Sequence, residues 1–135
     1  MHNSIVYLAA PYSSSDPLIT EARMNTFLDV DALLIEQGYI TVSPLAKHFI
    51  LNRGRTIPGD WDYWKRYSEK LLNVCDELIV TTCIPGWKDS TGVRGEIQCA
   101  IRRDLTISEV NEHGMVSIGS ELMTYVLECA SLPQV

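Results

Sequence analysis

Short apolar runs alternate along this chain with longer segments whose apolar residues recur at helical spacing. That alternation restricts the fold more than any other feature. Ile5-Val6-Tyr7-Leu8-Ala9-Ala10 has no polar interruption and reads as a buried strand. A polar loop from Pro11 to Ser15 follows, and Asp16-Pro17 sets a capping carboxylate before a proline at the first helical position. Leu18, Ala22, Phe27, Val30, Leu33 and Leu34 then fall on roughly one face, and Gly38 closes a helix of about five turns. Tyr39 to Val42 predicts a second strand, Leu45 to Leu51 a short helix, and Arg53 to Gly59 a loop. Trp61, Trp64, Tyr67, Leu71 and Leu72 predict a helix from about Asp60 to Val74. Glu77 to Thr82 reads as a third strand, broken by Pro85-Gly86-Trp87, and a helix from Val93 to Arg103 follows. A fourth strand at Leu105–Val110 or Met115–Ile118 precedes a last helix from Ser120 to Ala130. The expected fold is α/β: a three-layer, flavodoxin- or Rossmann-like arrangement with a parallel sheet of four to five strands and helices on both faces.

With 135 residues and neither repeat nor linker, the chain is expected to form one domain over residues 1–135. A chain of this size buries roughly two-thirds of its unfolded surface and needs no disulfide or metal staple. Apolar residues at 46% and charged residues at 21% exclude wholesale disorder. The net charge of −6 argues against partnership with a nucleic-acid polymer or an anionic membrane. A small anion held by a few backbone N–H groups stays compatible with it. Cys75, Cys83, Cys99 and Cys129 form no C-x-x-C pair, and His2, His48 and His113 are scattered, so no metal or other cofactor is expected. The cysteines read as small buried thiols in a reducing compartment. No apolar run approaches ~20 residues, and Met1-His2-Asn3-Ser4 does not resemble a signal peptide, so a cytoplasmic protein is expected.

In parallel sheets ligands sit beyond the carboxyl ends of the strands, here at the loops after Ala10 and after Thr82. The second loop, from Pro85 to Glu96, carries three glycines that permit close backbone approach to an anion. Glu96 falls about one turn into the following helix, where its carboxylate either stabilises or attacks an oxocarbenium carbon or merely complements the helix dipole. Tyr7, near the end of the first strand, is either a core residue or a hydroxyl that holds that carboxylate. Tyr12-Ser13-Ser14-Ser15 is either a phosphate cradle or a solvated loop with capping serines. Trp87, in a glycine-rich loop, is the better candidate for stacking on a base, whereas Trp61 and Trp64 at i, i+3 read as a buried helix face. Asp76 reads as a structural turn or cap, and His48 has a surface or core role.

Three segments carry a family resemblance: I-V-Y-L-A-A-P-Y-S-S at 5–14, C-D-E-L-I-V at 75–80, and G-W-K-D-S-T-G-V-R-G-E-I-Q-C-A at 86–100. In order and spacing the chain resembles the nucleoside 2-deoxyribosyltransferase-like superfamily, which includes deoxyribonucleoside 5'-monophosphate N-glycosidases. The similarity covers approximately the first 104 residues. The resemblance implies that Glu96 attacks C1' of a deoxyribosyl unit and that Tyr7 positions it. It implies that Ser90 binds a 5'-phosphate, since members acting on free nucleosides carry an aspartate there. Pro11, Tyr12, Ser13, Ser14, Arg23, Trp87 and Gly92 complete the expected binding set for a nucleotide or nucleoside. One position departs from the family pattern. The aspartate that handles protons at the leaving base is replaced by Ser68, with Asp62 or Glu69 on the same helix as possible substitutes.

Two functions from different classes follow. One is an N-glycosidase cleaving the base–sugar bond of a (deoxy)nucleoside monophosphate, with or without deoxyribosyl transfer. The other is a catalytically silent nucleotide-binding module. A dinucleotide oxidoreductase is disfavoured because no G-x-G-x-x-G follows the first strand. The apolar faces bearing Leu122, Tyr125 and Val126 and the Trp-bearing helix, with the shared sites of the family, predict a homodimer or higher homo-oligomer. Asn111, His113 and Ser117 are the loose candidates for contribution to a neighbour's site.

Overall fold

The computed structural model describes residues 3–47, 53–54 and 57–135. Its centre is a five-stranded sheet in the order β2-β1-β3-β4-β5. The strands are β1 (Ile5–Ala9), β2 (Ile40–Val42), β3 (Glu77–Val80), β4 (Thr106–Val110) and β5 (Val116–Ser117). The first four are parallel, and β5 closes the edge antiparallel to β4. Both candidate fourth strands therefore exist, joined by a turn in which Asn111 Oδ1 accepts from the N–H groups of His113 and Met115. Among the described residues four α-helices flank the sheet: α1 (Pro17–Glu36), α2 (Trp61–Leu72), α3 (Thr91–Arg102) and α4 (Ser120–Ser131).

The period of two along β1 builds the layers. Val6 and Leu8 face a core shared with Met24, Phe27, Val30 and Leu34 of α1. Tyr7 and Ala9 face the opposite core, with Leu72 of α2, Val93 and Ile97 of α3, and Leu122 and Val126 of α4. Among the described residues α1 thus covers one side of the sheet, and α2, α3 and α4 cover the other. Asp76 braces the start of this frame: its N–H donates to Ile5 O and its Oδ2 accepts from Ile5 N, both at 2.8 Å.

The start of α1 follows the sequence signals. Asp16 Oδ1 accepts from Leu18 N at 2.9 Å, Pro17 opens the helix, and Gly38 leaves it at φ +92°, a conformation that favours glycine. Its apolar face differs from expectation at the first turn, where Leu18 is 74% exposed and Ala22 is also exposed. The buried stripe begins at Met24. Of the two faces invoked for self-association, that of α4 also differs, because Leu122, Tyr125 and Val126 are covered by this chain's own core. Of the expected short helix at 45–51, Pro44–Lys47 forms a 3-10 turn. The rest of that helix, His2, His48 and part of the loop 53–59 lie outside the described residues.

All four cysteines are free thiols, three of them buried, and burial pushes the Cys75 thiol up to about 11, which keeps it protonated and unreactive. Among the described residues no helix is long and apolar enough to cross a membrane, and no His/Cys/Asp/Glu group could hold a metal ion.

Candidate functional site

Chain order reverses between β1 and β3: β1 leads through α1 to β2 on one side, and the chain then crosses to β3 on the other. Such a reversal opens a crevice beyond the carboxyl ends of the two strands. A cavity of about 430 Å³ lies there, within the usual range for a small-molecule site. Its walls come from the loop after β1 (Ala10, Tyr12, Ser13), from Arg23, from the start of α2, and from the loop and first turns of α3.

Glu96 lies on the wall of this cavity yet is only 8% exposed. Its position one turn into α3 turns it toward the sheet, and the alternation of β1 puts Tyr7 on the same side. The Tyr7 hydroxyl donates a short hydrogen bond to Glu96 Oε2. Burial pushes the Glu96 carboxyl up to about 8, and the bond from Tyr7 pulls it down against that trend. Tyr7 is fully buried, and desolvation first, then the Glu96 charge, raise its hydroxyl well above the ordinary range. Ser68, 2% exposed on α2, donates a hydrogen bond to the Tyr7 oxygen. The three form a buried chain from Ser68 through Tyr7 to Glu96. Ser68 therefore occupies the interior, where it orients Tyr7. Neither Asp62 nor Glu69 takes up the aspartate's position: Asp62 is exposed, Glu69 pairs with Arg102 at 3.8 Å, and neither lines the cavity.

The mouth holds the polar groups. Ser90 is the N-cap of α3, and its Oγ accepts from Val93 N at 3.2 Å. Thr91 and Gly92, the next two residues on the wall, have N–H groups with no acceptor inside the helix. Arg23 Nη1 donates to Ser13 O at 2.8 Å, and Ser13 Oγ donates to Gly59 O at 2.9 Å, so one cation ties two wall segments together. Its Nε is buried without a partner, and its guanidinium lies where a Cβ of Gly86 would be. Gly86 also holds φ +92°, so both the backbone and the space require glycine there.

The aromatic wall differs from the sequence expectation. Trp87 is 7% exposed and packs edge-on against Tyr125, with ring centroids 5.4 Å apart, inside the core. It does not line the cavity. Trp61 and Trp64 do. Trp61 lies flat on α3, where a Cβ at Gly95 would overlap its indole, and its Nε1 is buried without a partner. Trp64 Nε1 donates to Pro58 O at 2.7 Å, which fixes its ring. The period of α2 correctly marks an apolar face, but a face that meets a void has the same spacing as one that meets a core.

Of the remaining expected binding residues, Tyr12, Ser13, Arg23, Ser90 and Gly92 line the cavity with Glu96. Pro11 and Ser14 do not: Pro11 is buried where β1 ends, and Ser14 Oγ accepts from Asp16 N at 3.1 Å in the turn before α1. Sequence reasoning missed Asp60 and Asp89, two carboxylates on the wall. Asp60 was open to discovery as the residue before the Trp-bearing helix, and Asp89 as part of the glycine loop. With two further carboxylates present, an anion here must be held by directed donors, not by net positive charge.

Gly95 supplies a test of this wall. Gly95→Ala is expected to push Trp61 off α3 and lower stability by about 1–3 kcal/mol, as overpacking does. Thermal melting read alongside tryptophan emission checks it, because an unchanged melt with unchanged emission contradicts the close contact.

No curated protein matches this chain. The family model described as a domain of unknown function (DUF1937) matches residues 4–112, a span that contains β1 with Tyr7, α2, and the loop and helix bearing Ser90 and Glu96. The chain belongs to that family, the domain of unknown function DUF1937.

Proposed function

We propose that this protein is a metal-free N-glycosidase that cleaves the base–sugar bond of a (deoxy)nucleoside 5'-monophosphate, as its resemblance to the nucleoside 2-deoxyribosyltransferase-like superfamily implies. The observation that carries the reading is the buried Glu96 carboxyl on the cavity wall, gripped by a buried Tyr7. A carboxylate kept from water and aimed by one hydroxyl suits attack on an electron-poor carbon, because little solvent must be displaced before reaction. The flat walls of Trp61 and Trp64 suit a base. The Ser90–Gly92 turn and the unpartnered Arg23 Nε suit an anionic group. In this reading Glu96 bonds to C1' as the base leaves, and water or a second base resolves the glycosyl intermediate.

Incubation with a panel of deoxynucleoside and ribonucleoside monophosphates, followed by chromatography for free base, tests the proposal. Release that disappears in Glu96→Ala supports it, and release unchanged in that variant overturns it. The silent nucleotide-binding module is the second reading, favoured by Ser68 standing where the superfamily that the chain resembles has a proton-handling aspartate. An intact nucleotide that co-purifies and is never turned over would decide for that module.

Ser90 separates nucleotide from nucleoside. Charge-assisted hydrogen bonds are worth roughly 1.5–3 kcal/mol each, so Ser90→Ala is expected to weaken nucleotide use by about one to two decades. Alanine also removes the cap of α3, at a cost of about 1 kcal/mol to stability. Ser90→Asp keeps a cap and sets a carboxylate against the phosphate, so it is expected to reverse the preference toward the free nucleoside. Comparison of kcat/KM for a deoxynucleoside and its monophosphate across the three proteins checks this. An unchanged ratio leaves Ser90 with its cap alone.

A further inference from the structure

We propose that Asp60 is the residue that protonates the departing base in this chain, a role resting on the N-glycosidase reading above. Two carboxylates besides Glu96 line the cavity, and they stand in different surroundings. Asp89 belongs to the loop that runs from Gly86, under Arg23, to Ser90, the part of the wall suited to an anion. Asp60 immediately precedes Trp61 and lies one turn from Trp64, the two indoles whose faces suit a base.

The cap geometry of α2 supports the assignment. An aspartate at an N-cap ordinarily folds back to accept a hydrogen bond from the first turn. Asp60 has the extended backbone of an N-cap (φ −85°, ψ 161°), yet its side chain makes no such bond. Asp16, the N-cap of α1, makes it at 2.9 Å. The Asp60 carboxyl is thus not spent on its own helix, and it is part of the cavity wall.

The proton and electron count closes. A Glu96 oxygen bonds to C1' while the C1'–N bond breaks; the bonding pair goes to the base nitrogen, and the proton on Asp60 follows it. Water then attacks C1', the C1'–Oε bond breaks, and Asp60 takes the proton from that water. Base and sugar phosphate leave, and one water is consumed. Glu96 must be ionised when it attacks, and Asp60 must carry the proton that the base takes.

The test compares two leaving groups. One is the base of whichever common deoxynucleoside monophosphate the wild type cleaves fastest. The other is 4-nitrophenolate from 4-nitrophenyl 2-deoxyribofuranoside 5-phosphate, which departs without a proton. Asp60→Asn, in which asparagine still suits an N-cap, is expected to slow base release by about 10²–10⁴-fold and 4-nitrophenolate release by less than about threefold. Asp89→Asn is expected to change both alike, and Glu96→Gln to stop both. Equal slowing of both releases in Asp60→Asn, no slowing of either, or leaving-group dependence in Asp89→Asn in place of Asp60→Asn overturns the assignment and leaves the glycosidase reading standing. No base release from any nucleotide by the wild type, or release untouched by Glu96→Gln, overturns both.

Discussion

Glu96→Gln is expected to abolish base release and at the same time to raise the stability of the protein above neutral pH. On the N-glycosidase reading the loss of activity follows from removing the proposed nucleophile, and is expected to reach about 10⁴-fold or more in kcat. The stability gain follows from linkage. The Glu96 carboxyl is raised from 4.5 to about 8 by burial, so the folded protein holds a proton that the unfolded chain has released. Below pH 4.5 both states are protonated and the group costs nothing. As pH rises toward 8 the folded state loses stability, because ionising Glu96 in its buried site is harder than in water; above about 8 the penalty is complete. Each unit of displacement is worth about 1.4 kcal/mol, so the full penalty is on the order of 2–5 kcal/mol. Glutamine keeps the shape and an acceptor for the Tyr7 hydroxyl and cannot ionise. Denaturant unfolding of both proteins at pH 5 and pH 9 checks this. The curves are expected to lie close together at pH 5 and to separate at pH 9 with the variant more stable. A variant less stable at pH 9 contradicts the burial of an ionising carboxyl.

The Tyr7→Phe variant is expected to lower kcat/KM at pH 7 by about 10²-fold and to move its alkaline-rising limb to higher pH. On the N-glycosidase reading ionised Glu96 is the reactive form, so kcat/KM for the wild type is expected to rise with pH toward about 8. The Tyr7 hydroxyl donates to that carboxylate and so favours ionisation. Without it, burial acts unopposed, the limb shifts upward, and the loss shrinks at high pH because ionisation is restored. Ser68 loses its partner as well, and a buried hydroxyl without one costs roughly 1–3 kcal/mol of stability. A pH–rate profile distinguishes this from plain damage: a uniform loss at every pH, with no shift in the limb, removes Tyr7 from control of Glu96.

Much of the architecture is legible in local pattern. The uninterrupted run at 5–10, the Asp16-Pro17 start and Gly38 end of α1, and the glycine loop before α3 each state their structure within a few residues, through burial period, cap chemistry and backbone freedom. The alternation of these segments implies a parallel sheet, and a parallel sheet implies a site beyond its strand ends. Period two even assigns Tyr7 and Val6 to opposite faces, though not which face meets Glu96. The antiparallel edge β5 was legible only as an alternative, since two residues are too few to show a period.

What the sequence by itself determined is the set of elements, their order, and the loops that line the cavity. Those depend on interactions spanning a few residues, and spacing records them. The tertiary structure alone decided who meets whom. Tyr7 and Glu96 are 89 positions apart and become a buried pair only when α3 packs on β1. Trp87 goes into the core because Tyr125, from α4, covers it, while Trp61 and Trp64 face the cavity because Gly95 lets one indole lie on α3 and Pro58 anchors the other. Ser68 turns inward to Tyr7, and Asp60, free of its cap, stands on the wall. Apolar periodicity reports that a face is turned from water, but core and cavity both satisfy it, and only the packing of distant elements separates the two.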